Sequence, residues 1–309
     1  MLSVFLETLP FFALIALGYW AGRTRFFTPE ATAYLTRFVF YFALSAMLFR
    51  FSANLTLAEV FDGRFVLAYL AATGAVYLLA TGVALLRRRG IDEAAVEAQC
   101  AVIGNVGFLG VPMLVLLLGE DAIGPVMLML AVDLIVFGSL IVILITGARD
   151  GRMSPAILRT VGAGLLKNPM IVSISLGLAW SGLRLPMPQP LNDFVTILGA
   201  AATPGALFAI GASLATKSAE RIEVAAWLAF AKLVLHPAAV ALTALVLIPV
   251  EPYAAGVMIA AAALPVAGNV FILAQHYGVA PQRVSTAIFL STSLSILTIS
   301  TVIALVGMR

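Results

Sequence analysis

Residues 104–112 read Gly-Asn-Val-Gly-Phe-Leu-Gly-Val-Pro and residues 264–271 read Leu-Pro-Val-Ala-Gly-Asn-Val-Phe, and each stretch interrupts a long apolar run. Proline removes a backbone donor, and glycine weakens a helix further. Backbone freed inside a membrane survives only where protein or a watery cavity surrounds it. The two stretches therefore predict two broken membrane helices.

The composition of the whole chain indicates a membrane protein. Of its 309 residues 62% are hydrophobic and 11% are charged, whereas soluble domains carry about a quarter of their residues as charges. A helix that spans the bilayer needs about 20 apolar residues. Soluble enzymes, nucleic-acid binders, disordered proteins and disulfide scaffolds are therefore excluded, and the expected partner is the lipid bilayer.

Apolar runs of spanning length predict ten transmembrane helices, so the expected fold is an all-α polytopic membrane protein. The longest polar connection, residues 148–166, divides the chain into segments 1–147 and 167–309 with five spans each. The predicted spans are 3–22, 32–51, 65–86, 96–118, 122–147, 167–185, 192–215, 223–248, 252–276 and 284–307.

Basic residues in the connections predict the orientation, because cytoplasmic loops are rich in Lys and Arg. The odd-numbered loops hold eleven basic residues, whereas the even-numbered loops and the termini hold three, Arg64, Arg184 and Arg309. Odd loops are therefore expected in the cytoplasm and both termini outside. The eleven are Arg23, Arg25, Arg87, Arg88, Arg89, Arg149, Arg152, Arg159, Lys217, Arg221 and Arg283.

The two halves show signs of an inverted repeat. Because each half has an odd number of spans, related halves must lie in opposite orientations in the membrane, which is a transporter architecture. Trp20 lies near the end of span one and Trp180 near the end of span six, about 160 residues later. The pair Gly104-Asn105 in span four recurs as Gly268-Asn269 in span nine, at a similar distance along the chain. We therefore expect two inverted five-helix repeats, with broken spans four and nine crossing near the midplane.

The broken spans predict a binding site for an anion. Each break presents a new helix N-terminus, whose free N–H groups and positive dipole end favour negative charge. Such a site suits an organic carboxylate, with Asn105 and Asn269 adding amide groups. The alternative is that glycines here allow close helix packing, and for Gly107 and Gly110 the two readings are evenly matched. The candidate residues are Gly104, Asn105, Gly107, Gly110, Pro112, Pro265, Gly268 and Asn269.

Two charged residues and one histidine are expected deep in the membrane, where ionisable groups usually have a function. Asp133 lies roughly 17 Å along span five, and Lys232 lies roughly 14 Å along span eight. His236 follows Lys232 by one turn on the same helix face. Asp133 is a candidate for proton or cation coupling, and Lys232 for contact with a substrate carboxylate. The alternative is a permanent structural Asp133–Lys232 pair. Glu97, near the end of a span, is interpreted as an interfacial side chain.

The motif of span four and the segment 264–278 resemble those of the auxin efflux carrier family, which includes bacterial malate and malonate permeases. Supporting similarities are Gly18-Tyr19, residues 206–214 and residues 232–237, so the resemblance covers the whole chain. It implies ten spans in two inverted repeats, an elevator-like arrangement of a scaffold and a transport part, and substrate at the crossing of spans four and nine. It also implies a pocket wall at Ser45. The family usually has a proline near that position, matching Pro204 in span seven, and this chain lacks it.

The expected function is therefore secondary transport of a small mono- or dicarboxylate such as malonate or malate, coupled to protons or Na⁺, in the bacterial inner membrane. No cofactor, metal or nucleic acid is expected. A channel would need a continuous polar path, which the few polar residues within spans disfavour. A membrane-embedded enzyme would need a nucleophile–base pair or a metal cluster, and the chain has two histidines without metal-ligand spacing. Spans six and seven leave room for a homodimer interface.

Overall fold

Helices form nearly all of the chain that the computed structural model describes, namely residues 2–55, 62–150, 156–215 and 222–306. Within these ranges no strand is formed, and the one β-type contact is an isolated bridge between Gly104 and Val266. The helices are α1 (Leu2–Arg23), α2 (Pro29–Ala53), α3 (Gly63–Leu86), α4 (Ile91–Val102), α5 (Val106–Leu118), α6 (Glu120–Ala148), α7 (Ala156–Lys167), α8 (Pro169–Gly182), α9 (Gln189–Ala215), α10 (Ile222–Leu247), α11 (Pro252–Ala262), α12 (Gly268–Tyr277) and α13 (Pro281–Val306).

The prediction of a polytopic all-helical membrane protein is confirmed, whereas the number of ten spans stays a prediction. Among the described residues, six helices are long and apolar enough to cross a membrane: α2, α3, α6, α9, α10 and α13. The bent pair α7–α8 raises that number to as many as seven, and α5 and α11 are shorter apolar helices. Four of the basic residues used for the orientation, Arg152, Lys217, Arg221 and Arg309, lie outside the described residues.

The connection between the halves contains a helix that the sequence analysis did not predict. Helix α7 meets α8 at an angle of 69°. The bend falls at Asn168-Pro169, where the Asn168 side chain accepts a hydrogen bond from the backbone N–H of Met170, 3.0 Å away. Pro169 is the first residue of α8, where a backbone N–H would have no partner within the helix, so the missing N–H of proline costs no hydrogen bond. Gly162 and Gly164 lower the helix propensity of this segment, which explains why its sequence does not predict α7.

The helices pack as two groups. We call α1, α2, α8 and α9 the panel, and α3–α6 with α10–α13 the core bundle. Within the panel, α1 packs against α9, and α2 packs against α8. Glycine allows both helix pairs to pack closely. A Cβ atom at Gly211 would collide with the carbonyl of Ile15, and a Cβ atom at Gly177 would lie 2.6 Å from the Phe49 carbonyl oxygen. Helix α5 faces the panel through α1 and α9.

A buried ionic cluster joins α4 to α13 at one end of the core bundle. Glu97 accepts from Arg283 at 2.5 Å and from Arg87, and its side chain is 1% exposed. Arg283 also contacts Glu93 at 3.0 Å. The interpretation of Glu97 as interfacial is therefore wrong, because two arginines from other parts of the chain compensate its charge inside the protein.

We expect Glu97→Gln to lower the free energy of unfolding by about 3 kcal/mol, since removing one partner of a buried ionic cluster leaves the other charges uncompensated. Denaturant titration in detergent micelles measures this change. Glu93→Gln is the matched control: its carboxylate is 33% exposed, so the expected loss is below about 1 kcal/mol. Equal losses for the two variants would show that burial does not govern the cluster.

Candidate functional site

The two predicted helix breaks are both present, and they contact each other. Helix α4 ends at Val102 and α5 begins at Val106, while α11 ends at Ala262 and α12 begins at Gly268. Between them, the Asn105 N–H donates to the Pro265 carbonyl at 2.8 Å and the Ala267 N–H donates to the Ile103 carbonyl at 3.0 Å. The unwound backbones thus satisfy each other, as they must in an apolar environment.

Proline explains the break between α11 and α12 but not the break before α5. Pro265 lacks an N–H and disfavours helical backbone at Leu264, so α11 cannot continue. Pro112 instead lies at the start of a regular helical segment that follows a wide π-helical turn at Val106–Gly110. Pro112 cannot donate to the carbonyl of Phe108, four residues back, and this favours the wider turn. The break itself is at residues 103–105.

A small cavity lies at the crossing, and six of the predicted site residues line it together. Its volume is about 20 Å³, which is room for about one water molecule. The remaining wall comes from the panel and from neighbouring apolar side chains. The six residues are Gly104, Asn105, Gly107, Gly268, Asn269 and Asp133, and the others are Ile103, Phe108, Leu130, Leu134, Met170 and Ala267.

The other predicted site residues do not line this cavity. A Cβ atom at Gly110 would lie 2.6 Å from the Leu264 side chain, which favours the packing interpretation for this glycine. Pro265 contributes its carbonyl to the backbone pairing. The Ser45 hydroxyl donates to the carbonyl of Phe40 at 3.2 Å, and Phe40 belongs to a wide π-helical turn of α2 at Val39–Ala43. Pro112 lies beyond the turn of α5.

Two helix N-termini meet at the cavity. Helix α5 begins after Asn105 and α12 begins after Ala267, and at neither end does a side chain cap the helix. The first N–H groups of a helix have no partner within it and carry the positive end of the helix dipole. At Gly268 a Cβ atom would meet nothing within 4 Å, so a ligand can approach the backbone of α12 closely.

Asp133 and Asn269 present unpaired oxygen atoms beside this cavity. Asp133 begins a π-helical turn of α6, and its Oδ1 accepts a hydrogen bond from the Tyr69 hydroxyl at 2.6 Å. Its Oδ2 is buried and, among the described residues, has no hydrogen-bond partner. The Asn269 Oδ1 is also buried and has no hydrogen-bond partner in the part of the chain that the structure describes. Buried acceptors without a donor are rare in folded proteins and call for an explanation.

Lys232 and His236 lie behind the crossing. The Lys232 ammonium donates to the Ala262 carbonyl, at the C-terminal end of α11, and lies 3.2 Å from His236 Nδ1. The other ring nitrogen of His236 is 3.0 Å from the Thr73 hydroxyl. Helix C-termini carry partial negative charge, so a fully buried ammonium is well placed there. A Cβ atom at Gly104 would lie 3.2 Å from Lys232 Cε, so this glycine leaves space for the lysine.

The structural Asp133–Lys232 pair is not formed: among the described residues, the two side chains make no ion pair within 4.0 Å, and each has other partners. Tyr69 and Thr73, which connect Asp133 and His236 to α3, were not among the predicted site residues. Their spacing of four residues on one helix face was the available signal, but Tyr and Thr are ordinary residues in membrane helices.

Comparison with known proteins identifies the family. The family described as "Membrane transport protein" matches residues 3–303. A Rhizobium meliloti (strain 1021) protein named "Putative malonate transporter" is 32% identical over 301 residues, covering 96% of this chain and 94% of that protein. The "Uncharacterized transporter YfdV" of Escherichia coli (strain K12) is 26% identical over 287 residues, covering 90% of each chain. The chain therefore belongs to the membrane transport protein family, the auxin efflux carrier family that its sequence resembles, and is a transporter, not an enzyme.

Proposed function

We propose that this protein is a secondary active transporter of a small organic anion, malonate or a similar mono- or dicarboxylate such as malate, and that it binds its substrate where α4–α5 and α11–α12 cross. The observation that carries the proposal is the meeting of two uncapped helix N-termini at one cavity, beside Asn105 and Asn269. Such ends favour anions. The name of the Rhizobium relative supports malonate as the first substrate to test.

Asp133 supports coupling to protons. Asp133 lines the same cavity that would receive the substrate, and its Oδ2 has no hydrogen-bond partner among the described residues. Two like charges about 4 Å apart repel by roughly 4 kcal/mol at an effective dielectric constant of about 20. A carboxylate would therefore bind when Asp133 carries a proton, and the protonated oxygen would donate to the substrate. Lys232 already contacts the Ala262 carbonyl and His236, so these partners hold its amino group behind the crossing.

The size of the cavity supports a movement during transport. Room for about one water molecule does not admit malonate, so the crossing must open toward one side of the membrane and then toward the other. We infer an elevator-type movement in which the core bundle shifts against the panel. The division of the helices into these two groups supports this inference, as does the position of the crossing beside the panel.

The contacts within the panel are consistent with two inverted repeats. If residues 1–147 and 167–309 are related by a two-fold axis, with 148–166 as their connector, the contact of α1 with α9 is equivalent to that of α8 with α2. The antiparallel bridge between Gly104 and Val266 is also the pairing that an axis through the crossing would produce. We propose that the protein lies in the bacterial inner membrane, and the bias in basic residues supports an orientation with both termini outside.

Purified protein in proteoliposomes tests the proposal. We expect an inward proton gradient to drive accumulation of radiolabelled malonate, and a protonophore to abolish it, because protonated Asp133 must accompany the anion. A Na⁺ gradient at equal pH is the control and should drive no accumulation. Accumulation driven by Na⁺ alone would refute proton coupling. Flux without saturation would indicate a channel, and no flux of any carboxylate by folded protein would refute the substrate class.

A further inference from the structure

A second cavity lies between the panel and the core bundle, on residues of α6 and α8 that neighbour those of the first cavity. Its volume is about 280 Å³. Helices α2 and α8 of the panel and α3 and α6 of the core bundle form its walls, with Ser52, Val66, Ala131, Ile135 and Ile174 among the lining residues. None of the residues that line the first cavity also lines this one. It is therefore a separate site.

The lining of this cavity is apolar, and part of its rim is exposed at the surface of the helix bundle. Apart from Ser52, every lining residue is aliphatic or methionine. Ile135 and Val136 on its rim are 46% and 41% exposed, and in a membrane-spanning helix such exposure means contact with lipid. Apolar cavities do not hold water well. The chemistry of the walls thus favours a hydrocarbon chain that enters from the bilayer.

The cavity runs from the ends of the helices toward their middle. Ser52 lies next to Ala53, the last residue of α2, and Val66 lies in the first turn of α3, which begins at Gly63. The wall from α6 extends from Met127 to Val136, which is roughly 14 Å along the helix axis at about 1.5 Å per residue. This direction is the one that a lipid chain follows in a single leaflet.

Ser52 provides one polar group at the end of this apolar cavity. Its side chain is 0% exposed, and its hydroxyl has no hydrogen-bond partner among the described residues. A serine within a helix commonly bonds to the carbonyl one turn earlier, and Ser52 does not. The close approach of α8 at Gly177, where a Cβ atom would lie 2.5 Å from Ser52 Cβ, confines the hydroxyl. A buried hydroxyl of this kind calls for an acceptor.

We propose that the cavity binds one acyl chain of a membrane phospholipid, and that the Ser52 hydroxyl donates a hydrogen bond to the ester carbonyl of that chain. An ester is neutral, accepts one hydrogen bond and joins a long hydrocarbon chain, which matches a single donor at the end of an apolar cavity. A free fatty acid would bring a carboxylate, and no lining residue is positively charged. The lipid contacts both helix groups. This site does not rest on the proposed substrate or coupling ion.

Photolabelling tests the lipid site. The intact protein is reconstituted with a phospholipid that carries a diazirine in its acyl chain, is irradiated, and is mapped by peptide mass spectrometry. We expect labelling of residues 127–136 and 174–178 to exceed that of other lipid-facing segments several-fold. Ala131→Phe fills the cavity and should remove this excess, whereas Ala75→Phe, on a lipid-facing position of α3, should leave it unchanged. Ser52→Ala should reduce it.

Four results would contradict the proposal. Uniform labelling of all lipid-facing helices would show that no chain is held in the cavity. Equal effects of Ala131→Phe and Ala75→Phe, with both variants folded by their unfolding midpoints, would show that the label does not depend on the cavity. Competition by free fatty acid as strong as that by unlabelled phospholipid would show that the ester is not recognised. If Ala131→Phe fails to fold, Ser52→Ala decides the question, since unchanged labelling would contradict the hydrogen bond.

Discussion

Asp133→Asn is expected to abolish the accumulation of malonate driven by a proton gradient while preserving malonate binding. Asparagine keeps an oxygen that can accept from the Tyr69 hydroxyl, as Asp133 Oδ1 does at 2.6 Å, so the helices should pack as before. In place of the unpaired Oδ2 it presents an amide donor, as a protonated carboxyl would. It cannot take up or release a proton, and transport then lacks its coupling step.

The two consequences of this substitution are measured separately. Binding to wild-type protein should weaken from acidic to alkaline pH, because Asp133 loses its proton and repels the anion, and binding to Asp133→Asn should be insensitive to pH. In proteoliposomes the variant should equilibrate malonate without accumulating it above the external concentration. Asp193→Asn, at an exposed position of α9, is the matched control and should behave as wild type. Accumulation by Asp133→Asn would remove Asp133 from the coupling step.

The second large effect is expected at the crossing itself. Replacing Asn105 and Asn269 together by Ala removes the two amide side chains that line the cavity. If each contributes one hydrogen bond to a charged substrate, worth about 1.5 kcal/mol or more, the double substitution lowers malonate affinity about 100-fold or more. The backbone pairing of residues 103–105 with 265–267 does not involve these side chains, so the fold should persist.

Rates of malonate uptake into proteoliposomes measure this loss, with Asn54→Ala as the control. Asn54 lies at the end of α2, where its side chain donates to the Arg50 carbonyl at 2.7 Å, far along the chain from either break. We expect wild-type rates for the control. Uptake by the double variant at the wild-type rate would mean that the substrate does not contact these amides.

The helix breaks could be predicted from the sequence because their cause is local. Gly104, Pro265 and Gly268 act on their own backbone through missing Cβ atoms or a missing N–H, and the position within an apolar run is visible without a structure. Pro112 shows the limit of this reasoning, because the same residue type can widen a turn instead of ending a helix. The break lies earlier, at residues 103–105, where the backbone of Ile103 and Asn105 pairs with that of Pro265 and Ala267.

The polar partners could not be predicted, because they come from distant parts of the chain. Asp133 was recognisable as a charge in an apolar span, but its partner Tyr69 is 64 residues earlier. Glu97 and Arg283 are 186 residues apart, and without that contact a glutamate near the end of a span is naturally interpreted as interfacial. The position of a residue along one helix predicts its depth in the membrane and the helix face on which it lies. Whether its side chain is buried, and which side chain it contacts, depends on how separate helices pack.

Isothermal calorimetry of malonate binding tests most directly the claim that the crossing of the broken helices is the substrate site. It compares the purified wild-type protein with the variant carrying Asn105→Ala and Asn269→Ala, both at acidic pH and both checked for folding. We predict saturable binding to wild type and an affinity about 100-fold lower for the variant. Equal affinities would contradict the account, because the anion would then bind somewhere other than the crossing.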